Sequence, residues 1–176
     1  MTEKKQNKAA SQPGLFDTGN TPLKSSGLKS SGPKGYSTMY CDGACSGNPG
    51  DSGIGVSINL SDEDAVALNK DKSYAISEYI GIATNNIAEY SALIRGLEKA
   101  MSLGIKRIKV FLDSELVVKQ LKGVYKVKHK NLIPLWQQAK GLLENFDSCK
   151  VAHVPRDLNA EADSLARKGV KKGRQR

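Results

Sequence analysis

Cysteine, histidine and long apolar runs are scarce in this sequence, and each scarcity excludes a class of protein. Three cysteines among 176 residues are too few, and odd in number, for a disulfide framework, so we expect a reducing, cytoplasmic environment. With two histidines and no C-x-x-C pair, the chain lacks the usual ligands of structural zinc. No run approaches the ~18 apolar residues of a membrane-spanning helix, and the N-terminus lacks the apolar segment of a signal peptide. Nucleotide-dependent enzymes are disfavoured because neither G-x-x-x-x-G-K-[ST] nor G-x-G-x-x-G occurs.

The net charge of +9 is concentrated at the two ends of the chain. Residues 1–35 carry +4 and residues 167–176 carry +6, whereas residues 36–166 carry −1. Basic ends are typical of proteins that bind a polyanion, because neutralising phosphates releases counterions. Simple solubility explains the charge of the N-terminal part equally well.

Composition divides the chain into three parts. Residues 1–35 are rich in Lys, Ser, Gly and Pro and repeat "LKSSG", which predicts a disordered basic tail. Residues 36–168 form the predicted folded domain, and residues 169–176 form a basic C-terminal tail. Within the first part, "QPGLF" (Gln12 to Phe16) resembles the Q-x-x-L-F peptide that docks on a sliding clamp, a match that short motifs often make by chance.

The periodicity of apolar residues predicts a mixed α/β domain. Strands are predicted over residues 36–42, 53–60, 73–82, 105–113 and 148–155. Helices are predicted over residues 85–104, 114–123, 131–146 and 157–169. Three successive strands favour an antiparallel meander, and strands separated by helices favour parallel additions. We therefore predict a mixed five-stranded sheet with helices on its faces.

Four acids lie near the ends of these predicted elements, each next to apolar residues: Asp42, Glu89, Asp113 and Asp163. Each has an ordinary alternative explanation. Asp42 could be a turn residue, Glu89 a partner of the helix dipole, Asp113 a residue before an N-cap, and Asp163 an acid of an amphipathic helix. If the four converge, they need a partner, and carboxylate oxygens favour Mg²⁺ or Mn²⁺ over zinc.

Four motifs in order resemble type 1 ribonuclease H, especially its compact bacterial and archaeal members. They are "YCDGACSGNPG", "TNNIAEYSAL", "FLDSELVVKQL" and "HVPRDLNAEADSLA", and the resemblance spans residues 36–168. It implies an RNase H-like fold and a monomeric endonuclease that hydrolyses the RNA strand of RNA–DNA hybrids, leaving 5′-phosphate and 3′-hydroxyl ends.

The resemblance also implies the site residues. Asp42, Glu89, Asp113 and Asp163 fall on the positions of acids that bind two Mg²⁺ ions, with Mn²⁺ as a substitute. Residues expected to line the hybrid are Gly43, Cys45, Asn48, Thr84, Asn85, Asn86 and Glu115. Thr84 has an equally good explanation as a helix cap, and the small residues after Asp42 are expected to let the nucleic-acid backbone approach.

The chain departs from the family pattern in two places. The stretch after Asp113 is too short for a basic protruding helix, but Lys126 and Lys128 belong to a cluster of bases expected to contact the DNA strand, unless it is a solvated loop. His153 alternates with apolar residues and is expected to pack in its strand, which leaves Arg156 to attract a phosphate. A hybrid-binding protein without activity and a nuclease acting on double-stranded RNA are the alternatives.

Overall fold

A computed structural model describes residues 35–175, in which five strands form one mixed sheet in the order β3-β2-β1-β4-β5. The strands are β1 (Ser37–Gly47), β2 (Gly50–Asn59), β3 (Ser73–Ala83), β4 (Arg107–Leu112) and β5 (Ser148–His153). The helices are α1 (Asp62–Ala67), α2 (Asn85–Leu103), α3 (Glu115–Leu121), α4 (Ile133–Leu143) and α5 (Ala160–Gly173), with a 3₁₀ turn at Arg156–Asn159. The clamp-like segment Gln12 to Phe16 lies outside the described residues.

The pairing of the strands confirms the predicted fold class. The first three strands pair antiparallel, and β4 joins β1 in parallel, as β5 joins β4. Along β4 and β5 buried residues alternate with more exposed ones, the pattern of strands with one face in the core. None of the helices in residues 35–175 is long and apolar enough to cross a membrane.

Helices cover both faces of the sheet, and close contacts fix two of them. On one face, Gly43 of β1 lies against the backbone of Ala88 and Glu89, so a Cβ there would overlap the start of α2. On the other, a Cβ at Gly55 of β2 would overlap the backbone of α5 at Ala162 and Ala166. Both helices therefore begin close to the middle of β1, where Asp42 lies opposite Gly55.

Three features of the fold differ clearly from the prediction. The first two strands continue through the glycine-rich stretch and pair down to Gly47 and Gly50, so Asp42 lies inside β1 rather than at its end. Between β2 and β3 we did not predict α1, whose N-cap Ser61 accepts a hydrogen bond from the Asp64 N–H. Helix α5 runs to Gly173, so residues 169–173, which we assigned to the C-terminal tail, are helical.

Candidate active site

Three carboxylates from distant parts of the chain form one cluster. Asp42 comes from β1, Glu89 from the first turns of α2, and Asp113 directly follows β4. Each offers an oxygen within 4.8 Å of the other two. The cluster follows from the topology, because β1 and β4 are parallel neighbours with Cys41 opposite Leu112, and the residues that follow this pair lie side by side.

Burial makes this cluster costly when it is fully ionised. Asp42 is 4% exposed and Glu89 is 5% exposed. Burial, and after it the charge of Asp113, raises the pKa of Asp42 to about 7. Burial, followed by the charges of Asp42 and Asp113, raises the pKa of Glu89 to about 9. Like charges in a desolvated position must bind protons or a cation.

The cluster has the properties of a site for a hard divalent cation. Its ligand atoms are all carboxylate oxygens, which Mg²⁺ and Mn²⁺ prefer. The Oε2 atom of Glu89 is buried without a hydrogen-bond partner, which is rare unless a ligand completes the site. The cluster therefore fits a cation site in three respects: its donors are carboxylate oxygens, they lie close together, and one of them has no hydrogen-bond partner.

The fourth predicted acid, Asp163 of α5, lies outside this three-residue cluster. Its carboxylate forms ion pairs with Arg156 at 2.7 Å and with Arg167, one helical turn away, at 3.0 Å. Partial burial acts to raise the pKa of Asp163, but the hydrogen bond from Arg156 and the charge of Arg167 outweigh it and lower the pKa. Asp163 is still close enough for its charge to raise the pKa of Asp42, so it borders the cluster.

Asn159 is a site residue that we did not predict. Its side chain is 1% exposed, and Nδ2 donates to the Cys41 carbonyl at 3.1 Å and to Asp113 Oδ1 at 3.2 Å. It thereby ties the carboxylate after β4 to the backbone of β1. In the sequence Asn159 resembles a helix cap, and it occupies the N-cap position of α5, but its side chain makes no capping hydrogen bond.

The prediction that His153 packs inside its strand is wrong. His153 is the last residue of β5, and its side chain is exposed although Cys149 and Val151, on the same side of the strand, are buried. Its Nε2 lies 3.2 Å from the backbone carbonyl oxygen of Asp113. The next residue, Val154, is buried at 2% exposure, so the alternation of buried and exposed side chains breaks at the end of β5.

Several of the residues expected to line a hybrid lie in the turn between β1 and β2 and at the start of α2. Asn48, in the turn, accepts a hydrogen bond through Oδ1 from the Asn85 N–H at 3.1 Å, which joins the turn to the start of α2. Thr84 is the N-cap of α2 and accepts from the Ile87 N–H at 3.4 Å, so its capping role is present. Asn86 follows in the first turn and is half-buried.

Two small residues of this region have packing roles. The Cys45 thiol lies 3.1 Å from the Ala83 carbonyl oxygen and so contacts the end of β3. Gly43 is buried against α2, so its small size is required for helix packing, whatever it also contributes to the approach of a nucleic-acid backbone.

The remaining predicted contacts lie along the segment from α3 to α4. Glu115, the first residue of α3, pairs with Lys119 at 2.8 Å, both on the helix surface. Lys126 and Lys128 are exposed in the irregular segment that follows. Nearby, Lys119 lies over the ring of Tyr125, with Nζ 5.1 Å from its centroid. This segment therefore presents cations together with an exposed aromatic ring.

Comparison with known proteins identifies the family. Residues 40–169 match the family model described as reverse transcriptase-like. The crystal structure of RNase H1 from the archaeon Halobacterium salinarum superposes with a TM-score of 0.71 at 37% identity, covering 78% of this chain and 99% of that one. The chain belongs to the type 1 ribonuclease H family.

Other members of the type 1 ribonuclease H family show how far the likeness extends. LC11-RNase H1, solved in complex with an RNA/DNA hybrid, superposes with a TM-score of 0.67 at 37% identity, covering 78% of this chain and 98% of that one. The bifunctional protein Rv2228c of Mycobacterium tuberculosis is 41% identical over 128 residues, which is 73% of this chain. This chain spans only 34% of the length of that mycobacterial relative.

Proposed function

We propose that this chain hydrolyses the RNA strand of RNA–DNA hybrids and leaves 5′-phosphate and 3′-hydroxyl ends. The observation that carries the proposal is the buried cluster of Asp42, Glu89 and Asp113, in which Glu89 Oε2 has no partner. A cluster of this kind suits phosphodiester chemistry because a phosphoryl group brings further negative charge that only cations can offset. Family membership and the hybrid-bound relative support the choice of substrate.

Two Mg²⁺ ions, or Mn²⁺ in their place, are the proposed cofactors. Asp42, Glu89 and Asp113 would hold them, with Asp163 as the fourth ligand bordering the cluster. Bound in this way, divalent cations lower the pKa of water and stabilise the charge that develops on a leaving oxygen.

The neighbouring side chains have positioning and attracting roles. Asn159 holds Asp113 in a fixed orientation through its 3.2 Å hydrogen bond, as outer groups commonly do for metal-binding carboxylates. Arg156, whose side chain is 69% exposed while it pairs with Asp163, presents a permanent positive charge to an incoming phosphate. Its guanidinium remains protonated at any working pH, so it attracts a phosphate rather than transferring protons.

The turn and the basic segment would hold the two strands of the substrate. Asn48, Asn85 and Asn86 offer neutral amides, which suit the 2′-hydroxyls displayed in the minor groove of a hybrid. The other residues proposed to lie along the RNA strand are Gly43, Cys45, Thr84 and Glu115. Lys126 and Lys128 would contact phosphates of the DNA strand, because they are exposed on the segment between α3 and α4.

A strand-specific cleavage assay tests the proposal. The chain is incubated with an RNA–DNA hybrid labelled on either strand, with duplex RNA and with duplex DNA, each in Mg²⁺, Mn²⁺ or EDTA. We expect cleavage of the RNA strand of the hybrid only, abolished by EDTA and by Asp42→Asn, with retained activity in the surface variant Asp147→Asn. Binding of the hybrid without cleavage in either metal, or equal cleavage of duplex RNA, would overturn the proposal.

A further inference from the structure

Within residues 35–175, no helix covers the β4–β5 half of the sheet on the face that α5 packs against. Helix α5 contacts β1, β2 and β3. On β4 and β5 the side chains of this face are half-exposed or exposed, whereas their neighbours in sequence are buried in the core. We call this surface the open face; its residues are Tyr36, Thr38, Tyr40, Arg107, Lys109, Phe111, Ser148, Lys150 and Ala152.

Positive charge is gathered on the open face around a single aromatic ring. The ring centroid of Tyr36 lies 4.4 Å from Arg107 Cζ, 5.5 Å from Lys109 Nζ and 5.9 Å from Lys150 Nζ. The Tyr36 hydroxyl and Ser148 Oγ are 2.7 Å apart, which fixes the ring against β5. Among residues 35–175, two acids lie at the borders of this face: Glu161 accepts a hydrogen bond from Ser57 on β2, and Glu63 lies beside Gly35 and close to Arg107.

Two of these cations oppose each other directly across neighbouring strands. Lys109 of β4 is the register partner of Lys150 of β5. Like charges in this relation destabilise a sheet. Partial burial, and then the charge of Lys150, lowers the pKa of Lys109. A polyanion bound across the pair would offset the repulsion between the two cations.

Aromatic rings lie beside the cations on the same face. Tyr40 and Phe111 are register partners, and their rings stack with centroids 4.9 Å apart at an angle of 25°. Half-exposed aromatic rings on a sheet surface, flanked by cations, are the arrangement on which sheet-based proteins stack unpaired bases. Duplexes keep their bases stacked internally, so this arrangement favours a single strand.

We propose that the open face binds single-stranded nucleic acid through phosphate contacts to Lys109 and Lys150 and base stacking on Tyr40 and Phe111. The face leads to the carboxylate cluster, because Lys109 precedes Asp113 by four residues of β4, about 13 Å at the strand rise of about 3.3 Å per residue. Under the proposed function, the occupant is the unpaired segment that flanks a hybrid. The N-terminal part of this chain is a poor competitor, because residues 1–35 carry +4.

Binding of a labelled oligothymidylate, roughly 12 nucleotides long, to the full chain in EDTA tests the proposal independently of catalysis. We expect the double variant Lys109→Gln/Lys150→Gln to raise Kd about tenfold at low salt and to reduce the salt slope by about 1.4, at about 0.7 for each lost phosphate contact. Phe111→Leu should raise Kd about fivefold or more without changing the slope, because it removes stacking and no charge.

Lys99→Gln/Lys140→Gln is the matched control. Lys99 of α2 lies over the ring of Tyr74, and Lys140 of α4 lies over the ring of Trp136, so both resemble the open-face lysines but lie elsewhere on the surface. This control should bind the oligonucleotide as the unmodified chain does, and Lys109→Arg/Lys150→Arg should retain binding because it retains the charge.

Several results would overturn the proposal. The first is an equal Kd for the oligonucleotide in the open-face variant Lys109→Gln/Lys150→Gln and in the control variant. The second is a change in the sedimentation of the open-face variant without a change in its Kd for the oligonucleotide, which would assign the face to a second copy of the chain. Hydrolysis of a blunt hybrid should be the same in the open-face variant and the unmodified chain. If no hybrid is hydrolysed by either, the proposed function fails, while oligonucleotide affinity still decides this proposal.

Discussion

Replacing Asp42 by Asn should stabilise the cation-free protein, although it removes a residue proposed to be essential for activity. The folded protein raises the pKa of Asp42 from its ordinary 3.8 to about 7, mainly through burial. At 1.36 kcal/mol per pKa unit, this rise corresponds to about 4 kcal/mol lost by the folded state when the carboxyl is ionised. Protonation of Glu89 relieves part of the repulsion, so we expect a gain of about 2 to 4 kcal/mol for Asp42→Asn at pH 8.

The sign of the pH dependence follows from the direction of the shift. Below the unfolded pKa of 3.8, Asp42 is protonated in both states and the substitution gains nothing from charge. As pH rises from 3.8 to about 7, the unfolded state releases its proton first, so the wild type loses stability relative to the variant. Above about pH 8 the contribution of Asp42 itself no longer changes, and any further change reports the titration of Glu89, whose pKa is about 9.

Thermal unfolding in EDTA at pH 4.5 and pH 8 measures this effect. For a chain of this size each kcal/mol shifts Tm by about 2–4 °C, so we expect the variant to unfold roughly 5–15 °C higher at pH 8. At pH 4.5 about 1 kcal/mol of the effect remains, so the variant should unfold only about 2–4 °C higher. Asp147→Asn, at an exposed position, should show no such gain. Mg²⁺ should raise the Tm of the wild type but not that of Asp42→Asn, and so reduce the difference in Tm between them at pH 8. A Tm difference that is absent at pH 8, or as large at pH 4.5, would refute the reasoning.

Four further variants test the neighbouring residues. Arg156→Ala should lower kcat about tenfold without abolishing turnover, because one charge-assisted contact to phosphate is lost; an unchanged rate would contradict its role. Asn159→Ala should destabilise the protein by about 1–3 kcal/mol in chemical denaturation and weaken Mg²⁺ binding about 10- to 100-fold in calorimetry; unchanged Mg²⁺ affinity would argue against positioning. Lys126→Gln/Lys128→Gln should weaken hybrid binding and reduce its salt slope by about 1.8, and an unchanged slope would make them solvated bases. Gly43→Ala should destabilise by about 1–3 kcal/mol or more through overlap with α2, and full stability would show that the helix can move.

The fold could be predicted because its strands and helices carry strong periodic signals. Alternation marks β4 and β5 as strands with one buried face, and Gly104, at a positive φ of 88°, ends α2 where predicted. Helix α1 was missed although Ser61 followed by three acids is a helix start, because the helix has six residues and buries only Ala65. Short elements contribute little periodicity, so tertiary contacts decide them.

The site could be predicted only in part, because its geometry depends on long-range contacts. Three of the four acids meet, since strand order places the residues after β1 and β4 side by side. Asn159 could not be found from the sequence, because its hydrogen bond to Cys41 joins positions 118 residues apart and its local context is that of a cap. The predicted burial of His153 was wrong for a related reason: alternation assigns a side chain to one side of a strand, but it breaks at the end of β5, where Val154 is buried and His153 is exposed.

The four acids differ in charge state, and the surrounding structure sets the difference. Burial raises the pKa of Asp42 to about 7 and that of Glu89 to about 9, so Glu89 remains protonated at neutral pH unless a cation is bound. Asp163 has a lowered pKa and remains ionised between Arg156 and Arg167. Pairing the fourth carboxylate with two arginines limits the unpaired negative charge beside the cluster. Cation binding must therefore displace protons, and Mg²⁺ affinity should rise with pH between about 6 and 9.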